Sequence, residues 1–234
     1  MMAARQAIHS FEFDRVSFAF DGAEAIFADV SCILPKTRAV WVRSQGEARG
    51  KSTLLKIMAG LLTPQTGRYL INGENVSNMS FEQFLPYRLN LGYGFDMGGL
   101  LNNKTLAENL ILPLLYHKLA DMSEAMTRVA AITDQFGMAS VRDQRPFSVS
   151  GSQRKLTCLL RAFVHWPQVV FLDDPATGLK QDNLNELYQF VDKSYASRGL
   201  RQIFFTSESP DLARRLGAEE LVINQDCFMT RSAA

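Results

Sequence analysis

The sequence predicts an α/β protein with a mainly parallel core sheet, an antiparallel β-rich N-terminal part and a helical insertion. Three observations support that expectation. The runs RAVWV (38–42), VVFL (169–172) and QIFFT (202–206) are continuously apolar and rich in β-branched and aromatic residues, as strands buried on both faces are. Helical periodicity alternates with these runs, which implies a sheet covered on both sides. Residues 11–34 instead alternate apolar with polar, the pattern of half-buried antiparallel strands.

Taken in order, FEFDRVSFAF (11–20) and AIFADVSCIL (25–34) read as neighbouring strands joined at the Asp21-Gly22 turn. RAVWV leads through a glycine-containing loop into KSTLLKIMAGLL, whose apolar residues recur at helical spacing. Pro64, Gly67 and Gly73 punctuate a turn and a second hairpin, YLINGENV. From about 105 to 137 the pattern is helical, with TLAENLILPLLYHK interrupted at Pro113 and AMTRVAAITDQFG stopping at its glycine. Ser150–Phe163 and NLNELYQFVDKSYA read as two further helices around VVFLDD. With no internal repeat and no Gly/Ser linker, residues 1–234 read as one unit, with a helical subdomain at about 105–163 inserted in its core.

Composition excludes several function classes. The 234 residues carry 25 Lys+Arg against 24 Asp+Glu, a net charge of +1, so no global field attracts nucleic acid, and no local basic patch is visible. At 47% hydrophobic and 21% charged residues, the chain is neither a disordered tail nor a fibrous repeat. Cys32, Cys158 and Cys227 are odd in number and far apart, which suits reduced thiols in a cytosol. MMAARQAIHSFEFDRV lacks an apolar core of signal-peptide length, and the longest apolar stretches fall short of the ~20 residues needed to span a bilayer. The expectation is a protein that is cytosolic, or that reaches a membrane only through a partner.

Gly50-Lys51-Ser52-Thr53, between a strand and a helix, has the form of a phosphate-binding loop. Backbone amides at the helix start face phosphate, the lysine neutralises it, and the serine hydroxyl ligates Mg²⁺. The loop departs from that form: position 45 is Gln where a glycine is wanted, the nearest glycine being Gly46. Four apolar residues ending in Asp173-Asp174 have the form of a strand delivering a carboxylate to Mg²⁺ beside such a loop; a buried strand ending on a solvated acidic pair has the same form.

Between them stands Val149-Ser150-Gly151-Ser152-Gln153-Arg154 at the start of a helix. With this segment the chain resembles the ATP-binding subunits of ABC transporters over nearly its whole length, VSGSQ matching their LSGGQ signature. Gln153 lies 20 residues before Asp173 and Lys51 lies 99 before Ser150, as that family spaces them. Gly60-Leu61-Leu62 with Pro64 and Gly67, the Ile71-Asn72-Gly73 hairpin, Arg161-Ala162, and Pro175 followed by Gly178-Leu179 add to the match. The resemblance implies a P-loop ABC ATPase cassette with ATP and Mg²⁺ as cofactors. It assigns Phe20 to stacking on adenine, although a strand-core phenylalanine fits as well. It assigns Gly46, Arg49, Gly50, Lys51, Ser52 and Thr53 to the phosphates, and Ser52 and Asp173 to Mg²⁺. Ser150, Gly151, Ser152 and Gln153 would close on a nucleotide held by a second cassette, which implies a homo- or heterodimer. Ala48 stands where a further glycine is usual.

Three groups that act on the attacking water in this family are replaced. The usual Glu is Asp174, one methylene shorter; the loop Gln is Asp96; the His near the last core strand is Ser207. Lys180 stands where the loop after Asp174 normally closes on an Asp. A general base must come within ~2.6–3.2 Å of its proton, so the shortening is severe unless the backbone moves. Either hydrolysis is weakened or lost, or Asp96 or Asp174 compensates in a differently closed dimer.

A cassette of this kind implies transmembrane permease subunits and a peripheral place on the cytoplasmic face of the inner membrane. The stretch MGGLLNNKTLAENLILPLLYHK (97–118) looks like ATPases serving lipid-trafficking permeases of the Mla type, which work with MCE proteins, although macrolide-exporter and cell-division ATPases share its ENLxLP part. A nucleotide-gated structural subunit that does not power transport is the alternative.

Overall fold

The computed structural model describes residues 4–45, 50–96 and 98–231. In chain order the elements are β1 (Phe11–Phe18), β2 (Phe27–Ile33), β3 (Ala39–Ser44), α1 (Lys51–Met58), β4 (Thr66–Ile71), β5 (Glu74–Asn75), α2 (Phe81–Arg88) and β6 (Leu91–Gly94). There follow α3 (Leu106–Tyr116), α4 (Met122–Gln135), a short 3₁₀ turn at Pro146–Ser148, α5 (Gly151–Phe163), β7 (Val169–Leu172), α6 (Gln181–Ser197), β8 (Gln202–Thr206), α7 (Asp211–Leu216), β9 (Glu219–Ile223) and β10 (Phe228–Arg231). Packing divides them into two compact units, residues 91–201 and residues 5–90 with 202–231.

The discontinuous unit holds an antiparallel sheet in the order β2-β1-β4-β5, and strands β10-β9-β3-β8 with β3 parallel to both β8 and β9. Phe11, Phe13, Val16 and Phe18 of β1 are buried while residues between them are not, the alternation expected of a half-buried strand. The alternation shifts by one at Arg15, whose φ of +51° marks an irregularity between Asp14 and Ser17 in the ladder to β4. Aromatic edges tie the strands together: Phe11 meets Phe204 at 5.7 Å, and Phe13 and Phe27 meet Phe228 at 5.8 and 5.2 Å. Val40 and Val42 of β3 and Ile203–Thr206 of β8 are buried, as continuous apolar runs require, and α1 packs on both strands.

In the other unit β6 and β7 pair in parallel, from Leu91 opposite Val169 to Gly94 opposite Leu172, and α5 packs across them. Gly92 makes that approach possible, because a Cβ there would lie 2.0 Å from the Ala162 carbonyl oxygen. Phe190 of α6 receives the ring edges of Phe136 and Phe163 at 5.5 and 5.6 Å, joining α4, α5 and α6 in one core. The helices of 106–163 thus share their unit with β6, β7 and α6.

The interruption expected at Pro113 does not occur. Helix α3 runs through it, with Leu106, Leu110 and Leu114 all fully buried on one face. A proline inside a helix costs about 3 kcal/mol, and three buried leucines at roughly 1.5–3 kcal/mol each offset it. Elements α2, β6, α7, β9 and β10 carry no strong periodic signal in the sequence. Helix α2 rests on a Ser80–Gln83 capping box.

Candidate functional site

The strand β3 delivers the chain to Gln45, whose amide donates to the Ile223 carbonyl at 3.0 Å. Gly46, Ala48 and Arg49 lie outside the described residues. At Gly50 φ is +120°, and a Cβ would sit 2.8 Å from Ile26 and 3.0 Å from the Phe27 ring, so only glycine fits. Helix α1 begins immediately after it with no side-chain cap and no acidic residue in its first turn. Such a helix start presents amide donors and the positive end of the dipole.

The cleft beside this turn has a volume of about 880 Å³ and is lined by Phe20, Ile26, Gly50, Lys51, Ser52 and Thr53 among others. Phe20 is 47% exposed and braced edge-on by Phe18 at 5.1 Å, so it is not the core phenylalanine that its strand pattern also allowed. Lys51 Nζ donates to Glu208 Oε1 at 2.6 Å. That ammonium holds the exposed Glu208 carboxyl below its ordinary value, through the hydrogen bond first and charge second. Sequence reasoning does not anticipate Glu208; its only signal is an acid directly after Ser207.

Asp173, just beyond β7, is buried, and its amide extends the ladder to the Gly94 carbonyl at 2.9 Å. The Tyr93 hydroxyl lies 3.5 Å from Asp173 Oδ2, and burial, then this carboxylate, push the phenol well above its ordinary range. Asp174 has a left-handed backbone, φ +43°, a conformation that costs about 1–3 kcal/mol and collects at functional turns. Lys180 is the N-cap residue of α6 and gives it no side-chain cap.

The signature segment folds as a capping box. Ser150 Oγ accepts from the Gln153 amide at 3.2 Å, and Gln153 Oε1 accepts from the Ser150 amide at 2.9 Å. Ser152 Oγ accepts from Asn183 Nδ2 at 3.2 Å, and an added Cβ on Gly151 would meet nothing closer than Arg154 at 3.8 Å. Helix α5 also lacks an acid in its first turn.

Two of the three replaced groups are engaged by protein partners. Lys155 Nζ, its side chain only 7% exposed, donates to both the Asp96 carbonyl and Asp96 Oδ1 at 2.8 Å. Ser207 is buried; its hydroxyl donates to the Ser209 carbonyl at 2.9 Å and accepts from the Ser209 amide at 3.2 Å, closing the turn that presents Glu208. His165 Nε2 lies 3.0 Å from the Leu91 carbonyl in the interior, a structural position.

The structure therefore brings Phe20, Gly50, Lys51, Ser52 and Thr53 to one cleft, while Asp96, Ser150–Gln153, Asp173 and Asp174 belong to the other unit. A lysine, two hydroxyls and an uncapped helix start suit a polyphosphate. Among the described residues no three His, Cys, Asp or Glu side chains cluster as a metal site. No helix among the described residues is long and apolar enough to cross a membrane.

The structural neighbours share this architecture. A post-hydrolysis dimer of the ATP-binding cassette MJ0796 bound to ADP and Pi superposes with a TM-score of 0.83 at 18% identity, covering 95% of this chain and 98% of that one. An ATP-binding subunit of an ABC transporter gives 0.79 at 20% identity, covering 95% and 90%. Among sequence relatives, the methionine import ATP-binding protein MetN 2 of Burkholderia mallei is 30% identical over 84% of this chain and 50% of its own length. MetN 1 of Rhodopseudomonas palustris is 29% identical over 77% and 48%. The chain spans about half the length of the curated relatives it matches. The ABC transporter family model matches residues 47–177, more than half of the chain. With the phosphate-loop turn, the capped signature helix and the cassette fold, that match means that the chain belongs to the ABC transporter family.

Proposed function

We propose that this chain is the nucleotide-binding subunit of an ABC transporter complex, binding Mg²⁺-ATP at the interface of two cassettes and hydrolysing it weakly. The cleft that joins the exposed Phe20 ring to Lys51 and the uncapped start of α1 carries the reading, since it offers a stacking surface at one side and a polyanion cradle at the other. In this reading Phe20 stacks on the base; Gly46, Arg49, Gly50, Lys51, Ser52 and Thr53 surround the phosphates; Ser52 and Asp173 hold Mg²⁺. Ser150–Gln153 close on the nucleotide of the second cassette. Bound Mg²⁺ supplies charge neutralisation of the phosphates.

Weak hydrolysis follows from the engagement of the replaced groups. Asp96 is neutralised by Lys155 and Ser207 is tied into its own turn, so neither orients water. Asp174 is one methylene shorter than the usual Glu, too short to serve as base in this reading. The nucleotide must also displace Glu208 from Lys51. The cassette partners transmembrane permease subunits and sits peripherally on the cytoplasmic face of the membrane. Leu101, Leu112 and Tyr116 are exposed apolar side chains near and along α3, which supports a partner on that helix. For cargo, residues 97–118 support lipid trafficking of the Mla type with an MCE-type partner; the names of the sequence relatives support methionine import as the second reading.

Steady-state phosphate release by the complex reconstituted with its permease tests the proposal. Turnover far below ordinary ABC rates, unaltered by Asp174→Asn, is expected. A robust rate abolished by Asp174→Asn, a loss of ~10²–10⁴-fold as for removal of a general base, overturns it. Stimulation by phospholipid or by methionine in the same assay separates the two cargoes.

A further inference from the structure

We propose a second, separate binding site: the cleft between α4, the turn at Trp166 after α5 and the C-terminal end of α6 takes an oxyanion, phosphoryl or carboxylate, carried on an apolar body. The cleft has a volume of about 620 Å³ and lies wholly within the 91–201 unit. Three cations line it, Arg128, Lys193 and Arg198, against two acids, Asp121 and Glu124.

Both acids are already engaged. Asp121 caps α4 by accepting from the Glu124 amide at 2.8 Å, and Glu124 accepts from Arg128 Nη2 at 2.7 Å. Among the described residues no carboxylate forms an ion pair with Arg198, which leaves its charge to other groups. Its guanidinium lies 4.5 Å over the Phe190 ring, and its Nη1 is buried with no hydrogen-bond partner among the described residues. Partial burial first, and then the charge of Arg128, lower its pKa. The negative end of α6 compensates its charge only in part. Buried polar groups are normally satisfied, and an orphaned guanidinium N–H is costly. An oxyanion is the ligand that fits the planar donor fork of arginine.

The apolar wall defines the rest of the ligand. Trp166 is 41% exposed, with Ile132 and Ala131 beside it. Its backbone is left-handed, φ +54°, one residue before Pro167, an uncommon state for a bulky side chain. The Arg128 guanidinium stacks on the indole at 3.8 Å, holding the ring in place. A half-exposed indole held in a left-handed backbone, beside a guanidinium with one unsatisfied N–H group, is the arrangement of a binding cleft rather than of a core.

The full-length chain labelled with 5-fluorotryptophan reports on this cleft directly, because it has only two tryptophans, Trp41 and Trp166. Phenyl phosphate should shift the Trp166 fluorine resonance saturably in the millimolar range, and more tightly than inorganic phosphate does. Arg198→Gln should weaken that binding about tenfold or more, and so should the exposed-side variant Lys193→Gln, by less, without reaching the core. The shift should persist in Lys51→Ala, which distinguishes it from occupancy of the nucleotide cleft. No saturable shift of Trp166, a shift unchanged in both Arg198→Gln and Lys193→Gln, or one lost in Lys51→Ala overturns the proposal.

Discussion

Helices α1 and α5 both begin with residues that point to phosphate chemistry, and they begin in opposite ways. The start of α5 is closed by its own sequence: the Ser150 and Gln153 side chains satisfy each other's backbone amides. The start of α1 has no side-chain cap, and the chain enters it through a left-handed Gly50 pressed against Ile26 and Phe27. One end is therefore stable by itself, whereas the other is shaped by packing and leaves its donors to a ligand. Helices α2 and α3 carry the same capping box as α5. The box is a stability device, and what singles out α5 is the spacing of its signature to the other motifs.

Four substitutions can break or sharpen this contrast. The largest effect is expected for Lys51→Ala, which removes charge-assisted contacts worth ~1.5–3 kcal/mol and should weaken Mg²⁺-ATP binding tenfold or more by calorimetry. The melting temperature should scarcely move, because the Lys51–Glu208 pair is exposed. Next, Asp96→Ala strips the buried Lys155 ammonium of its carboxylate and should cost ~1–3 kcal/mol in chemical denaturation. A neutral result there would show that the backbone carbonyl of Asp96 alone anchors α5. Ser150→Ala opens the capping box and should cost about 1 kcal/mol of stability, with nucleotide affinity of the isolated chain unchanged.

The smallest effect is expected for Glu208→Gln. An exposed ion pair is worth up to about 1 kcal/mol, so freeing Lys51 should tighten ATP binding by up to roughly fivefold. The sign with pH follows from the depressed Glu208 carboxyl: the pair is intact above the ordinary carboxylate range and is lost only as pH falls through the folded-state pKa. The gain in Glu208→Gln should therefore be constant across the neutral range. A gain that vanishes near neutrality would place the competing group elsewhere.

The sequence by itself determined what short-range physics controls. The buried strands announced themselves as continuous apolar runs, β1 by its alternation, α5 by a serine and a glutamine three residues apart, and the phosphate-loop turn by Gly50-Lys51-Ser52-Thr53 before an apolar helix. Each depends on neighbours within a turn or a pleat, so residue order is enough. Helix α3 passing through Pro113 was not legible, because the leucine face that holds it together is defined by burial. Tertiary structure alone decided which carboxylate meets Lys51, from 157 residues away, and which ammonium meets Asp96, from 59. It decided equally that Arg198 lines one cleft with Trp166 and Arg128. Ion pairs, orphaned donors and clefts are properties of groups brought together by folding, and no local pattern in the chain specifies their partners.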